Sequence, residues 1–392
     1  MYRFIYLILS VRLNNMYRVS ALDEDSLANE VKAHELKSER RESLTGVDLF
    51  AGAGGFSLAA KNSGIRIVAA VELNKHACST YRRNLVKGSF PVLYEENILD
   101  LGPEVLIEKH FSDQQECDVL LGGPPCQGFS VHRINGAGVD DPRNLLVLRY
   151  FEYVSALRPK VFLMENVPGI LWGRHKFFLE QLYLRGGAAG YKLYPPAIID
   201  ARDFGVPQRR KRVFILGVRN DLVVNIDWPP ASTHGDDAAI VADPTLIPWE
   251  KAEVVFKKEV LSGDQNDIHM NHTPGLVEVF RRTPLNGGSR KDSGRVLPCH
   301  HAHDGHKDVY GRIDPSAPGP TMTTACINPS KGRFVHPVEN HGITLRQAAR
   351  FQSFPDDYVF EGGLIAGGAQ IGNAVPVKLG EALLEVIVKA IS

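Results

Sequence analysis

Apolar runs that alternate with helix-like stretches constrain the fold of this chain more than any other feature. From residue 44 onward, runs short enough for buried strands are each followed by a stretch with helical spacing of apolar residues. The strand-like runs are Gly46–Phe50, Arg66–Val71, Val119–Leu121, Val161–Met164 and Arg212–Val218, and helix-like stretches lie near 56–63, 75–86 and 144–157. This alternation predicts a doubly wound, mostly parallel α/β sheet, which binds ligands beyond the carboxyl ends of its strands.

The composition of the sequence changes after Val218 and changes back at Thr344. Residues 219–335 are rich in Pro, Gly, His and Asp and hold few periodic runs, which predicts a smaller irregular domain. We therefore expect four parts: a disordered or helical extension at 1–43, a catalytic and ligand-binding domain at 44–218, the irregular domain at 219–335, and a segment at 336–392 that returns to the first domain. The last segment ends in an amphipathic helix, Val377–Ile391.

The bulk composition excludes few classes of protein. Lys and Arg number 45 and Asp and Glu number 45, so net charge argues neither for nor against nucleic acid as a partner, and any nucleic-acid-binding face must come from local clustering. The five cysteines are scattered and odd in number, which favours a reducing, cytoplasmic setting over a disulfide framework. The apolar run Phe4–Leu9 is too short to cross a membrane, so we expect no membrane partner.

A cysteine stands just beyond one of the predicted strands. Cys126 follows Val119–Leu121 and the dipeptide Pro124-Pro125, with glycines on both sides. The prolines fix the backbone on its approach, and the glycines allow the loop to bend. Such a thiolate can attack a carbon electrophile if neighbouring positive charge makes it available.

A glycine-rich turn and a carboxylate mark a second functional region. The turn at 50–56, Phe-Ala-Gly-Ala-Gly-Gly-Phe, lies between a strand and a helix, where glycines let the backbone approach a ligand closely. Glu72 follows the next strand, and a carboxylate at that place commonly binds the two hydroxyls of a ribose. The pattern predicts a nucleotide-like ligand at this edge of the sheet.

Two further charged groups are expected at the same edge. Glu165 follows the strand Val161–Met164 and is expected to face the pocket that Cys126 faces, where it can give a proton to a ring nitrogen. In the run Gln208-Arg209-Arg210-Lys211-Arg212, Arg210 and Arg212 alternate along a strand entrance, so one face points inward. An inward arginine can polarise a substrate carbonyl.

Taken together, these motifs resemble the DNA (cytosine-5)-methyltransferase family over residues 45 to about 390. The turn after Asp48 resembles the family's S-adenosylmethionine turn, Pro124-Pro125-Cys126-Gln127 its nucleophile motif, and Glu165-Asn166-Val167 its acid motif. The run at 208–212 matches the arginine motif, and 346–355 and 370–376 match the last two motifs. The resemblance implies the Rossmann-like fold of S-adenosylmethionine-dependent methyltransferases.

The resemblance also implies a reaction and its catalytic residues. Cys126 would attack C6 of a flipped-out cytosine, Glu165 would contact N3, and Arg212 would hold O2, with Arg210 beside it. The methyl donor would be S-adenosylmethionine, the product 5-methylcytosine and the substrate a specific site in double-stranded DNA. The implied cofactor-binding residues are Phe50, Ala51, Gly52, Gly54, Glu72, Leu73, Asn97, Ile98, Pro125, Leu146, Asn373 and Val375.

One departure from the family pattern falls in this set. Where the family has Asp-Ile, this chain has Asn97-Ile98, and an amide oxygen accepts a hydrogen bond from adenine without carrying charge. We therefore expect weaker cofactor affinity with an unchanged cofactor identity.

The irregular domain would recognise the DNA sequence. Gln127 and Ser130 are expected to contact DNA from the catalytic loop, and a basic cluster is expected to contact it from the irregular domain: Arg281, Arg282, Arg290, Lys291 and Arg295. Cys299, His300, His301, His303 and His306 fit no standard zinc spacing, so we expect no metal. We expect a monomer in a prokaryotic cytoplasm, with a companion restriction endonuclease that shares the site without forming a complex.

Other functions explain fewer of these residues. A nicotinamide or flavin oxidoreductase would need the G-x-G-x-x-G order and would leave the Cys126 and arginine motifs unused. A zinc-dependent cytidine deaminase would need Pro-Cys-x-x-Cys, whereas Gln-Gly-Phe follows Cys126. A non-catalytic DNA-binding scaffold would not need the nucleophile, acid and arginine together. RNA-methylating relatives usually differ after Cys-Gln, and Gly128-Phe129-Ser130 favours DNA.

Overall fold

A computed structural model describes residues 44–111, 115–125, 144–173, 176–294 and 308–392. Within these residues the strands are β1 (Thr45–Leu49), β2 (Arg66–Val71), β3 (Val92–Tyr94), β4 (Val119–Gly122), β5 (Val161–Asn166), β6 (Tyr191–Leu193), β7 (Ala197–Asp200), β8 (Lys211–Arg219), β9 (His234–Gly235) and β10 (Ile247–Pro248). The helices are α1 (Gly55–Asn62), α2 (Lys75–Leu85), α3 (Pro103–His110), α4 (Asn144–Leu157), α5 (Lys176–Ala188), α6 (Asp237–Ala242), α7 (Glu253–Lys257), α8 (Pro274–Arg282), α9 (Leu345–Phe351), α10 (Gly363–Asn373) and α11 (Val377–Ile391).

The central sheet has eight strands in the order β3-β2-β1-β4-β5-β8-β6, with β7 paired to β8 beside β6. The strands β3, β2, β1, β4 and β5 are mutually parallel, which confirms the predicted mostly parallel α/β sheet. The strand β1 lies inside the sheet, with β2 and β3 on one side of it and β4 and β5 on the other. The order in which the chain adds strands therefore reverses between β1 and β4. An open sheet of this kind has its ligand crevice at that reversal.

One predicted strand runs the other way. We expected Arg212–Val218 to continue the parallel sheet, but β8 pairs antiparallel with β5, β6 and β7. The apolar alternation of a strand is the same in both directions, so sequence periodicity cannot reveal the direction. The beginning of β8 therefore lies at the edge of the sheet where β5 ends.

Two apolar layers cover the sheet. Strands buried on both faces explain the continuous apolar runs: every residue of β4 is buried, and all of β1 is too. Helices α3, α4 and α5 pack on one face, and α1, α9, α10 and α11 pack on the other. The C-terminal helix α11 packs against α1, and its Gly380 lies so close that an added Cβ would be 2.6 Å from Cβ of Ala59.

Two buried arginines make polar contacts that hold parts of residues 219–335 in place. Arg312 is fully buried and donates hydrogen bonds to four backbone carbonyls and one amide oxygen: those of Phe280, Thr283, His336, Glu339 and Asn340. Further along the chain, Arg346 of α9 forms a buried ion pair with Asp264, with 3.0 Å between Nη2 and Oδ1. Residues 44–392 form one compact unit, and the division at 219 and 335 stays a prediction.

Candidate active site

A pocket of about 1130 Å³ lies at the carboxyl ends of the parallel strands, at the reversal of strand order. Its wall includes the residues that follow β1, β2, β4 and β5, the beginning of β8 and one side of α10. Of the predicted cofactor residues, all but Gly54 line it: Phe50, Ala51, Gly52, Glu72, Leu73, Asn97, Ile98, Pro125, Leu146, Asn373 and Val375. The predicted catalytic residues Glu165, Arg210 and Arg212 line the same pocket.

The glycine turn after β1 is shaped by close packing as well as by backbone angles. Gly54 precedes α1 with φ of 89°, in the left-handed region that favours glycine. A Cβ at Gly54 would lie 2.3 Å from Cδ1 of Leu85, which explains why this position is glycine although it does not line the pocket. A Cβ at Gly55 would lie 2.5 Å from the carbonyl oxygen of Val375, so the turn contacts the C-terminal wall of the pocket directly.

The carboxylate of Glu72 is held rigidly by backbone donors. Its Oε2 accepts a hydrogen bond from the Gly52 amide at 2.8 Å, and its Oε1 accepts one from the Asn74 amide at 2.7 Å. Each carboxylate oxygen has a further lone pair. The side chain is therefore fixed at the pocket wall with acceptor capacity left for a ligand's hydroxyl groups.

Asn97 makes a local turn at the next strand end. Its Oδ1 accepts a hydrogen bond from the Leu99 amide at 3.1 Å, and Ile98 beside it is buried. Leu73, across the same part of the pocket, is 65% exposed. These apolar side chains are suited to the faces of a flat ring.

Glu165 and Arg212 form an ion pair at the pocket, with 2.9 Å between Oε1 and Nε. The antiparallel register places Glu165 opposite Phe214, and Arg212 lies two residues earlier on the same face of β8. A parallel β8 would have placed Arg212 at the far edge of the sheet. The reversed strand direction is therefore what brings the predicted acid and the predicted arginine together.

Arg210 lies in a different environment from Arg212, and its predicted catalytic role stays a prediction. Its guanidinium is buried and donates to the carbonyl oxygens of Met322 at 2.8 Å and of Gly372 and Ala374 at 2.9 Å each. Burial lowers the pKa of Arg210 well below its usual range. With two nitrogens bound to backbone carbonyls, this side chain cross-links the pocket wall, while its buried Nε has no hydrogen-bond partner.

The predicted nucleophile and its loop lie outside the described residues. Cys126, Gln127 and Ser130 are among these, as are Arg295 and the cluster Cys299, His300, His301, His303 and His306. The approach to position 126 is described: Pro124 and Pro125 line the pocket, and the Pro124 carbonyl accepts a hydrogen bond from Nδ2 of Asn166 at 3.4 Å. The roles of these residues therefore stay predictions.

The described members of the predicted basic cluster differ in exposure and in their partners. Arg281 and Arg282 are exposed and pair with Glu278 of the same helix, at 2.7 and 2.9 Å. Lys291 is exposed. Arg290 is 2% exposed and its Nε donates to the Val309 carbonyl at 3.3 Å, so it is buried in the protein, and its predicted contact with DNA stays a prediction.

Several pocket residues were missed by sequence reasoning. On α10, Ala366, Ala369 and Gln370 line the pocket beside the predicted Asn373, a helical i, i+3, i+4, i+7 spacing that could have revealed this side of the helix. Asp48, at the end of β1, lines the pocket floor although it is buried. Burial raises the pKa of Asp48 to about 7.

No helix of the described residues is long and apolar enough to cross a membrane.

Comparison with known proteins assigns the family. Residues 44–389 match the model of the C-5 cytosine-specific DNA methylases. The chain is 33% identical over 356 residues to the Type II methyltransferase M1.HphI of Haemophilus parahaemolyticus, with 88% of this chain and 87% of the relative covered. It is also 33% identical to the Type II methyltransferase M.DdeI of Desulfomicrobium norvegicum, over 86% of this chain and 87% of that one.

Solved structures show the same fold. A DNA modification methyltransferase encoded within an Escherichia coli prophage superposes with a TM-score of 0.67 at 23% identity, covering 88% of this chain and 99% of that one. A Spodoptera frugiperda DNMT2 superposes with a TM-score of 0.58 at 19% identity, covering 88% of this chain and 100% of that one. With the family match over nearly all of residues 44–392, the chain belongs to the C-5 cytosine-specific DNA methylases and is a DNA (cytosine-5)-methyltransferase.

Proposed function

We propose that this enzyme methylates a cytosine flipped out of a specific duplex DNA site, through a covalent bond between Cys126 and C6 of the base. The observation that carries the proposal is the placement of the Glu165–Arg212 pair and the anchored Glu72 carboxylate in one pocket. A flipped base and a nucleoside cofactor need such a shared cavity, since the methyl group must pass directly between them.

The residues present fit S-adenosylmethionine, the methyl donor that the family implies. Glu72 offers acceptors for two ribose hydroxyls, and Leu73 and Ile98 offer apolar surface for adenine. When bound, the cofactor supplies an electrophilic methyl group on a sulfonium. The described residues around it bind and orient it and exclude water from the reacting carbon.

The protein's own groups would activate the cytosine ring. The Cys126 thiolate adds to C6, while Glu165 hydrogen-bonds or protonates N3 and Arg212 holds O2. The addition makes C5 nucleophilic, so C5 gains the methyl group. Loss of the C5 proton then restores the double bond and expels the Cys126 thiolate. Flipping the base costs a few kcal/mol, which the contacts to N3 and O2 help to offset.

The covalent step is tested by trapping on duplex DNA that contains 5-fluorocytosine. Fluorine at C5 cannot leave as a proton, so the wild-type enzyme should remain attached to the DNA, and Cys126→Ala should neither attach nor methylate. Cys117→Ala is the matched control, because Cys117 is buried before β4 at the opposite edge of the sheet and should trap normally. Methyl transfer near the wild-type rate by Cys126→Ala would overturn the mechanism.

We further propose that choice of the DNA site resides within residues 219–335. The last part of that interval also packs into the catalytic core: the Gly319 carbonyl accepts from the Arg209 amide at 2.9 Å, and Met322, Cys326 and Ile327 are buried in the core. Exchange of residues 220–318 for those of a family member with another target should therefore transfer the target. Bisulfite sequencing of DNA from expressing cells reads modification and context together. An active chimaera that keeps the original target would refute this division.

The Type II names of the relatives support a role in restriction and modification. We propose that methylation by this enzyme protects DNA from a companion endonuclease that cuts the same site. DNA from expressing cells should resist an endonuclease of that specificity once bisulfite sequencing has identified it. Complete cleavage of fully methylated DNA by that endonuclease would contradict the protective role.

A further inference from the structure

A buried carboxyl group forms part of the pocket floor and has no place in the reaction above. Asp48 is 1% exposed at the end of β1 and lines the pocket. Its Oδ2 accepts a hydrogen bond from the Ser57 hydroxyl at 2.6 Å, and the Tyr81 hydroxyl donates to Ser57 Oγ at 2.8 Å. The Ser57 backbone amide also donates to the Asp48 carboxyl group, so these donors come from α1 and α2 while Asp48 itself remains part of the pocket lining.

The groups that face Asp48 do not neutralise a negative charge on it. Ser57 lies on α1, Tyr81 on α2, Tyr150 on α4, Tyr358 between α9 and α10, and Glu72 after β2. None of them is a cation, and the Glu72 carboxylate repels a second anion. Burial and this repulsion raise the pKa of Asp48 to about 7, so half of the ligand-free molecules hold a neutral carboxyl near neutral pH.

The proposed cofactor brings the positive charge that the site lacks. Its amino-acid end carries an ammonium group, whose N–H groups can donate a hydrogen bond, whereas a sulfonium is surrounded by carbon and cannot. We propose that cofactor binding expels one proton from Asp48, whose carboxylate then accepts a hydrogen bond from the cofactor's ammonium group. The proton goes to solvent, the ammonium keeps its own protons, and Ser57 remains a donor throughout. This inference rests on the proposed cofactor.

The proposal predicts the pH dependence of cofactor binding. With a ligand-free pKa of about 7, roughly nine molecules in ten are protonated at pH 6 and one in ten at pH 8. Binding should therefore release about 0.9 proton at pH 6, about 0.5 at pH 7 and about 0.1 at pH 8. The apparent affinity should be about tenfold weaker at pH 6 than at pH 8.

Calorimetry of the full chain with S-adenosylhomocysteine measures both quantities. This probe keeps the ammonium, lacks the sulfonium and is not turned over. Titrations in phosphate and in Tris, which differ in ionisation enthalpy, give the number of protons released at each pH. Asp48→Asn should bind without proton release and without the tenfold pH dependence. Asp118→Asn is the matched control, since Asp118 is a buried carboxylate at the far edge of the sheet, bound to the Thr45 amide.

Ser57→Ala is the second variant, should Asp48→Asn fail to fold. The Ser57 hydroxyl lowers the pKa of Asp48, so its removal should raise that pKa and extend proton release to higher pH. Binding of S-adenosylhomocysteine by the wild-type enzyme without proton release at pH 6 would overturn the inference and leave the proposed reaction standing. Absence of binding at every pH would refute the proposed cofactor and the inference together. Equal release by wild type and Asp48→Asn would assign the proton to another group and refute the role of Asp48.

Discussion

Substitution of Gly372 by alanine should destabilise the enzyme, although alanine is the better helix former. Gly372 lies in α10, where alanine is favoured over glycine by up to about 1 kcal/mol. A Cβ at this position would be 2.2 Å from the carbonyl carbon of Thr323, 2.3 Å from its oxygen and 2.3 Å from the Thr324 nitrogen. All three are backbone atoms, so no side chain can rotate away to make room.

The backbone next to this contact is itself held on both sides. The Met322 amide donates to Oε1 of Gln208 at 2.9 Å, and the Met322 carbonyl accepts from Arg210. Overpacking of a well-filled core costs about 1–3 kcal/mol, and a rigid neighbour favours the upper end. After the gain in helix propensity, we expect a net loss of about 1–2 kcal/mol in the free energy of unfolding. Since Thr324 and Asn373 line the pocket, S-adenosylhomocysteine should also bind more weakly.

Urea denaturation and calorimetry test both effects, with Gly187→Ala as the matched control. Gly187 is also in a helix, α5, but an added Cβ there meets no atom within 4 Å. That variant should be as stable as the wild type or more stable by up to about 1 kcal/mol, with unchanged ligand binding. A Gly372→Ala enzyme that matches Gly187→Ala in stability and in affinity would show that the Thr323 backbone yields freely and would refute the reasoning.

Three other predictions follow from single side chains. Asn97→Asp keeps an oxygen that accepts from the Leu99 amide and adds a negative charge to that acceptor. Calorimetry should therefore show that S-adenosylhomocysteine binds more tightly by about 0.5–1.5 kcal/mol. Unchanged affinity would show that position 97 does not contact adenine. Burial lowers the pKa of His336 from 6.5 to about 4, so the folded protein holds this side chain neutral. The stability that the neutral side chain contributes is fully present above pH 6.5 and is lost as the pH falls toward 4. In His336→Asn, the new side chain can still accept a hydrogen bond from the Glu339 amide. Its free energy of unfolding in urea should change less between pH 6.5 and 4 than that of the wild type, by about 1–3 kcal/mol, and an equal pH dependence would contradict this. Lys291→Ala should weaken binding to all DNA sequences and reduce the salt slope by about one, whereas an unchanged slope would exclude a phosphate contact.

The parts of the site that the sequence predicted are those set by strand ends. Glu72 and Glu165 each follow a buried apolar run, and parallel strands bring such positions to one edge whatever the rest of the chain does. Asn97, by contrast, was predicted from the family resemblance alone. A turn rich in glycine likewise predicts a close approach of backbone to ligand. These features are local, so the order of residues along the chain is sufficient to predict them.

The features that escaped prediction depend on distant residues. Arg210 and Arg212 occupy equivalent places in one motif. Only the carbonyls of Met322, Gly372 and Ala374, more than a hundred positions away, distinguish the cross-linking Arg210 from Arg212, which pairs with Glu165. Periodicity did not reveal the direction of β8. Nor does it reveal how deeply Asp48 is buried, which determines its pKa.

Because β8 runs antiparallel to β5, any segment that replaces residues 220–318 must have a minimum length. The strand begins at the pocket edge and ends at Arg219, whose amide donates to the Lys160 carbonyl at the opposite edge. The chain is back at the pocket edge by Gly319, which bridges to Gln208. At roughly 3.4 Å per residue, the 9 residues of β8 correspond to a span of about 30 Å. A tether of fewer than about nine extended residues would pull Gly319 away from the strand that carries Arg212.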